Sequence, residues 1–598
     1  MSHTPILLYL HGVGEGDPGQ EWRDALEKAL ARLGYPDLSG VEVVIPKYPN
    51  SLHGVDDEVP LPDETVKVPR RDDAKINRRD FERRRTAMES LLGRDDRGEG
   101  LPAGDHLAPI AAGMKSFIQA DNYLKDPNIR ASVLCRVLRG LPQTGRLVIV
   151  GHSLGSIIAA DLVRRLPTDL EVAGIVTIGS PLAQETFHTP GLRKSLSEPP
   201  ANLEWWVNFW STADAVPIRR GASTVFPWIL DQRIQQRVGL HPVRAHSART
   251  YLKNATVATA IGRGLFGSLS KEVVLAEKGL DIPLDDLETH ALVALRYAHL
   301  TVKELEGERR DRYVDALRQV QATTFNQLKA RNASESRGMP TAIAKLAVDL
   351  SDPASRAPEP ELPTHLSIED AVLPLVALAV GNVLQPVEIE VSEEKQQSAM
   401  EQLTLDMELG ARFGANVCEA VELAQNVLKG PKNRVKWAAL GLGATAIVAA
   451  TGGLALAAAP GVAGAAAVTS ALAAFGPGGM VGGLLTAGTF AGAGGGGIAI
   501  GLAAPGTTAD AMEAVVAIQL ATAILRDKQD LSQDQQTWSD LVETEDNVRR
   551  ELTRLKVLSD KNARNVKELQ RKLDAVERAL SYLRSCDLDP RQFEFAAE

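Results

Sequence analysis

Four apolar residues in a row, Leu147-Val-Ile-Val150, lead directly into Gly151-His-Ser-Leu-Gly155, and Ser156-Ile-Ile-Ala-Ala-Asp-Leu-Val-Arg-Arg165 follows with a helical pattern. No other stretch constrains the fold as strongly. A continuous apolar run of this kind suits a central parallel strand buried on both faces. The pentapeptide matches G-x-S-x-G, which alone is modest evidence. In the order strand, sharp turn, helix it describes a nucleophile elbow. The glycines let strand and helix approach closely, the turn lifts Ser153 above the sheet, and the helix amino terminus favours developing negative charge.

A serine hydroxyl is a poor nucleophile without a base. Behind such an elbow the partners follow in the order Ser, acid, His. The strand-like Trp205-Trp-Val-Asn-Phe-Trp210 is followed by Ser-Thr-Ala-Asp214, which puts an aspartate just past a strand end. Pro242-Val-Arg-Ala-His246 puts a histidine in a loop before a helical segment. Asp214 is therefore expected to orient the imidazole and His246 to act as general base and acid. Asp231 and His241 are the second choices. An acyl-transfer oxyanion also needs backbone donors. The N–H of Leu154, next after the nucleophile, is one. The other is expected from His11-Gly-Val-Gly14, directly after the strand candidate Ile6–Leu10, with Val13 favoured and Gly14 the alternative.

These segments, with Thr177-Ile-Gly-Ser-Pro-Leu182 and Asp121-Asn-Tyr-Leu124, resemble the lipase-like branch of the α/β-hydrolase superfamily over residues 5 to about 252. The resemblance implies a mostly parallel sheet and an activity on esters, lipid esters among them. It calls for no metal or organic cofactor. One departure is a long charged insertion, about 51–104, with Arg70-Arg71, Lys75, Arg78-Arg79 and Arg83-Arg-Arg85 interleaved with Asp72, Asp73, Asp80 and Glu82. Such a mixture reads first as a solvated helix face with internal ion pairs. A lipid-headgroup site and a lid over the pocket are the alternatives.

The α/β part is expected to span 1–255, with further strands at Val41–Ile45 and Ile175–Ile178. Residues 256–435 read as a helical domain with a Pro-rich break at Asp352–Pro363. From Trp437 to Ala509 there is no Asp, Glu, Lys, Arg or His, and Ala, Gly, Leu and Val dominate. Trp437–Ala459 is long enough for one bilayer crossing, which takes about 20 residues of helix. Segment 436–509 is thus expected to be a Gly/Ala-rich membrane segment, with the hydrolase on the cytoplasmic side and no signal peptide before it. Residues 510–598 carry a heptad seam from Val548 to Leu583, interrupted by Ser559 and Asn562, which suits a coiled-coil homo-oligomer or one helix of an intramolecular bundle.

The net charge of −10 argues against a general nucleic-acid binder. The three cysteines, Cys135, Cys418 and Cys586, are too scattered for a disulfide framework or a zinc cluster. The functional expectation is a serine esterase of lipase or phospholipase type acting on a membrane-lipid ester. The competing class is a membrane-inserting or assembly-forming effector in which the hydrolase fold is secondary.

Overall fold

The computed structural model describes residues 4–14, 19–54, 58–67, 70–100, 117–236, 242–267, 279–362, 366–428, 509–560 and 562–588. The chain divides into two compact units, Met1–Leu275 with Leu350–Ala354, and Ala276–Asp349 with Ser355–Glu598.

In the first unit β1 (Ile6–Leu10), β2 (Glu42–Val44), β3 (Gly145–His152), β4 (Leu170–Ile178), β5 (Trp206–Trp210) and β6 (Leu230–Arg233) form one sheet in the order β2-β1-β3-β4-β5-β6. Each neighbouring pair is parallel, so all the carboxyl ends lie along one edge. The helices of five or more residues here are α1 (Glu21–Arg32), α2 (Arg71–Leu92), α3 (Phe117–Lys125), α4 (Pro127–Arg139), α5 (Leu154–Leu162), α6 (Ala248–Leu252) and α7 (Ala255–Phe266). Side chains alternate across a strand. Leu147 and Ile149 of β3 join an apolar layer with Val133 and Leu134 of α4 and Ile157 and Ile158 of α5. Val148 and Val150 join the opposite layer with Leu26 and Leu30 of α1 and Val257 and Ile261 of α7. With both faces covered, β3 can be apolar throughout. Helix α4, which delivers the chain to β3, begins where its sequence says it should. The Asp126 carboxylate accepts from the N–H groups of Asn128 and Ile129 at 2.8 and 3.3 Å, and Pro127 occupies the first turn.

Strand β6 was not expected. Two of its buried residues are Asp231 and Gln232, so hydropathy does not mark it. Its outer edge is covered by the insertion. The N–H of Asp96 donates to the Asp231 carbonyl at 2.9 Å, Asp95 accepts from the Asp231 N–H at 2.7 Å, and Gln232 donates to the Gly93 carbonyl at 2.7 Å. Helix α2 buries Phe81 and pairs Arg78 with Glu198, Arg85 with Glu82 and Arg79 with Asp80. The described part of the insertion thus caps a sheet edge, and its arginine-rich helix is half-buried rather than a fully solvated face, with Arg84 donating to the Glu204 carbonyl at 2.9 Å. An open row of backbone groups there would invite pairing with another chain.

The second unit contains α8 (Asp286–Glu304), α9 (Gly307–Ser334), α10 (Ile368–Val380), α11 (Glu393–Asp406), α12 (Ala411–Leu428), α13 (Ala509–Lys528), α14 (Gln535–Leu558) and α15 (Arg564–Ser585). One apolar core runs through all of them, so composition breaks near 435 and 510 do not separate cores. Helix α7 packs in the first unit, beyond the 255 boundary drawn from sequence. The heptad-patterned segment is not one helix. The chain reverses between α14 and α15, with the Ser559 N–H closing onto the Leu555 carbonyl and the Ala563 N–H onto that of Asp560. The polar Ser559 and Asn562 lie between the two helices, which pack against each other, and Val548, Leu552, Leu569 and Leu573 are buried in the shared core. The Gly/Ala-rich run 437–508 lies outside the described residues. Among the described residues no helix is long and apolar enough to cross a membrane.

Candidate active site

Registry brings the site together. Leu10 at the end of β1 pairs with Gly151, and Gly151 and His152 pair with Thr177 and Ile178 of β4. Ser153 follows at once with φ 53° and ψ −120°, a strained conformation for a residue with a side chain. The strain is held from both sides. Its N–H donates to the Ile178 carbonyl at 3.1 Å, and its carbonyl accepts from the Ser156 N–H at 2.9 Å and the Ser156 hydroxyl at 2.6 Å. At Gly155 an added Cβ would sit 2.0 Å from the Leu10 carbonyl oxygen, so the first turn of α5 can press on β1 only without a side chain there.

His246 lies between the helical turn Pro242–Ala245 and α6. Its Nε2 is 2.9 Å from Ser153 Oγ. Its Nδ1 is 2.9 and 3.1 Å from the two carboxylate oxygens of Asp214, four residues past β5. The three predicted residues thus form one hydrogen-bonded chain. The Asp214 side chain is fully buried and that of His246 is 23 % exposed, so the chain opens from a dry acid toward an accessible base. Burial alone would raise the Asp214 pKa, but hydrogen bonds from His246, the Val216 N–H and the Tyr251 hydroxyl outweigh it and hold the carboxyl below its ordinary value.

Asp231, the other candidate acid, is buried in β6 and accepts from Asn208 and from the N–H groups of Ala222 and Ser223. It is hydrogen-bonded into the sheet rather than to His246, and burial pushes its pKa up to about 6. His241 lies outside the described residues.

The loop after β1 passes directly against Ser153. A Cβ added at Gly12 would be 2.9 Å from Ser153 Cβ and 3.1 Å from His152 Nδ1. The loop is tied down by the Tyr48 hydroxyl, which donates to the His11 carbonyl at 2.6 Å, and by stacking of the two rings at 4.1 Å. The Gly14 N–H donates to Gln119 Oε1 at 2.5 Å. Among the described residues no protein group accepts from the N–H of Val13 or of Leu154. Among the described residues those two amides have no acceptor, whereas Gly14, the alternative donor, is engaged.

Two supporting groups escape the sequence reading. Tyr251 donates to Asp214 Oδ2 at 2.9 Å. Burial holds its pKa well above the ordinary tyrosine range, so it stays a donor. His152, the second residue of the elbow motif, donates from Nε2 to the His246 carbonyl at 2.6 Å, an assignment that follows because a carbonyl can only accept. Burial and the neighbouring His246 lower its pKa to about 3, so it is neutral. No spacing rule marks either residue. Tyr251 lies five positions past the base, and His152 is a free position of the motif.

No family model, curated protein or solved structure matches this chain. Among the described residues no group of three or more His, Cys, Asp and Glu is arranged to hold a metal ion.

Proposed function

We propose that the first unit is a lipase-like α/β-hydrolase and that it cleaves carboxylic esters through Ser153, His246 and Asp214. The observation that carries this is the continuous contact from Ser153 Oγ to His246 Nε2 and from His246 Nδ1 to Asp214, set at a strand–turn–helix elbow. The parallel sheet and the chain order Ser, Asp, His support the same reading.

The geometry supplies each step. His246 Nε2 takes the Ser153 proton as Oγ attacks the ester carbonyl. Asp214 accepts from Nδ1, which keeps the lone pair on Nε2 facing the serine and stabilises the imidazolium that forms. The tetrahedral oxyanion is received by the amides of Val13 and Leu154, worth about 10²–10³-fold in rate for a single donor. His246 returns the proton to the leaving alkoxide, and water repeats the sequence on the acyl-enzyme. The substrate class we favour is the acyl ester of a membrane lipid, because a charge-free run of bilayer length belongs to the same chain. With it goes association with the cytoplasmic face of a membrane.

The test is fluorophosphonate labelling of the full chain, followed by hydrolysis of a short-chain ester and a phospholipid panel. Ser153→Ala is expected to lose labelling and turnover while keeping its fold. Labelling that persists in folded Ser153→Ala would overturn the assignment, and turnover of short-chain esters alone would remove lipid from it.

A further inference from the structure

Helix α3 touches both halves of the candidate site without contributing a reacting group. Gln119 and Tyr123 are four residues apart and so share one face of it. Gln119 is buried and accepts the Gly14 N–H at 2.5 Å through Oε1. With that oxygen facing Gly14, the amide nitrogen faces His53 Nε2 at 3.1 Å, which accepts from it. One turn on, the Tyr123 hydroxyl donates at 3.0 Å to Asp161, a residue of the nucleophile helix α5. Asp161 is itself held by Arg130 of α4, with Nη2 at 2.6 Å from Oδ1. Asn122 anchors the outer side of α3 on the Leu52 carbonyl at 2.8 Å. The loop that carries Val13 is therefore gauged from the helix that carries Leu154, through two side chains of one short helix.

We infer that Gln119 is a positioning residue for ester cleavage: by holding the Gly14 amide it fixes the 11–14 loop so that the Val13 N–H, and not that of Gly14, faces the oxyanion beside Leu154. The inference rests on the serine-hydrolase reading of the site. An oxyanion hole needs both donors within hydrogen-bond distance of one oxygen that exists only during reaction. The Gly14 amide sits one residue past the proposed donor at φ 99°, so the direction of the Val13–Gly14 peptide is set by whatever Gly14 binds. Without an acceptor at position 119 the loop is free to turn the Gly14 N–H inward and swing Val13 away. That loss would fall on the transition state and spare ground-state binding. His53 is exposed, so the outer end of the latch is open to solvent while its inner end is dry.

The experiment compares Gln119→Met, which keeps the volume and removes the acceptor, with Gln119→Glu, which keeps an oxygen toward Gly14. In the glutamate variant the second oxygen accepts from His53 Nε2 in its other tautomer. All rates are expressed per active site titrated with a fluorophosphonate in the full chain, so misfolded protein drops out. Gln119→Met is expected to lower kcat on a short-chain ester about 10–100-fold with KM within about threefold, the signature of an interaction made only in the transition state. Affinity for a trifluoromethyl ketone, whose adduct with Ser153 places an oxyanion in the same hole, is expected to fall by the same factor. Gln119→Glu is expected to recover most of both losses. A wild-type kcat in Gln119→Met, a loss confined to KM, or a glutamate variant as impaired as the methionine one would overturn the latch. Ser153→Ala run alongside separates the two readings. If it still labels, the hydrolase assignment fails and takes the latch with it. If it is silent while Gln119→Met labels and turns over normally, only the latch fails.

Discussion

Replacing Asp214 by asparagine should cost far more than the loss of one charge, and the contacts of that carboxylate say why. Oδ1 accepts from the Val216 N–H at 3.0 Å, and Oδ2 accepts from Tyr251 and His246 Nδ1 at 2.9 Å each. An asparagine has one oxygen and one NH₂. With the oxygen toward Val216, the NH₂ faces Nδ1, donates to it and drives the imidazole proton to Nε2, where it points at Ser153 Oγ. The base then has no lone pair for the serine proton. The other rotamer sets an NH₂ against the Val216 N–H in a fully buried pocket, leaving unsatisfied groups at about 1–3 kcal/mol each. Asparagine is thereby steered into the inactive tautomer. The expected loss in kcat/KM is about 10⁴-fold, as wrong-tautomer variants of such triads show. That is about 5.5 kcal/mol of transition-state stabilisation. The assay is steady-state hydrolysis of a short-chain ester at neutral pH, with circular dichroism to confirm the fold and the fluorophosphonate labelling rate as a second readout. A folded Asp214→Asn protein within tenfold of wild type would refute the reasoning and point to another acid.

Gly12→Ala drives a methyl to 2.9 Å from Ser153 Cβ, so Ser153 must shift, and turnover per folded protein should fall about 10²-fold. Tyr251→Phe removes one donor to Asp214. A depressed folded pKa gives stability that is present above the unfolded value and lost as pH falls through the folded one, so the variant should lose stability at a higher pH than wild type in an acid melting series. Asp231 has the opposite sign. Its raised value of about 6 means that the folded state holds the proton more tightly, so stability is lost as pH rises from about 4 to 6. Relative to Asp231→Asn, wild type should lose about 3 kcal/mol across that window in denaturant titrations, and a difference independent of pH would remove the explanation.

Legibility followed the local physics. Strands β1 and β5 are legible in the sequence because their whole length is buried and, Asn208 apart, apolar. That Ser153, His246 and Asp214 meet was legible because an elbow calls for an acid and a histidine after it, although choosing Asp214 over Asp231 relied on position beyond a strand end. The carboxylate of Asp231 is satisfied by two backbone amides and Asn208, partners no spacing rule reveals. Gln119 and Tyr123 act through contacts that span 105 and 38 residues of chain, so their roles exist only after folding. The heptad seam misled because spacings of three and four continue through Ser559 and Asn562, while the backbone there reverses. A periodic pattern records which face is buried, and two helices in a hairpin can share it as readily as one long helix.

Helix α7 bears on how small a fragment of the proposed hydrolase can be made. The proposed chemistry uses nothing past Tyr251, yet Val257, Ala258, Ala260 and Ile261 belong to the apolar layer that contains Val148, Val176 and Trp205. A chain cut after Lys253 would leave that face of the sheet wet. Arg263 donates from Nη2 to the Ser351 carbonyl at 2.5 Å, so the polypeptide leaves this unit and later comes back to it. The smallest active fragment should therefore end beyond Phe266, about twenty residues after the last catalytic side chain. In the whole chain the 350–354 return adds a contact to α7 that such a fragment lacks.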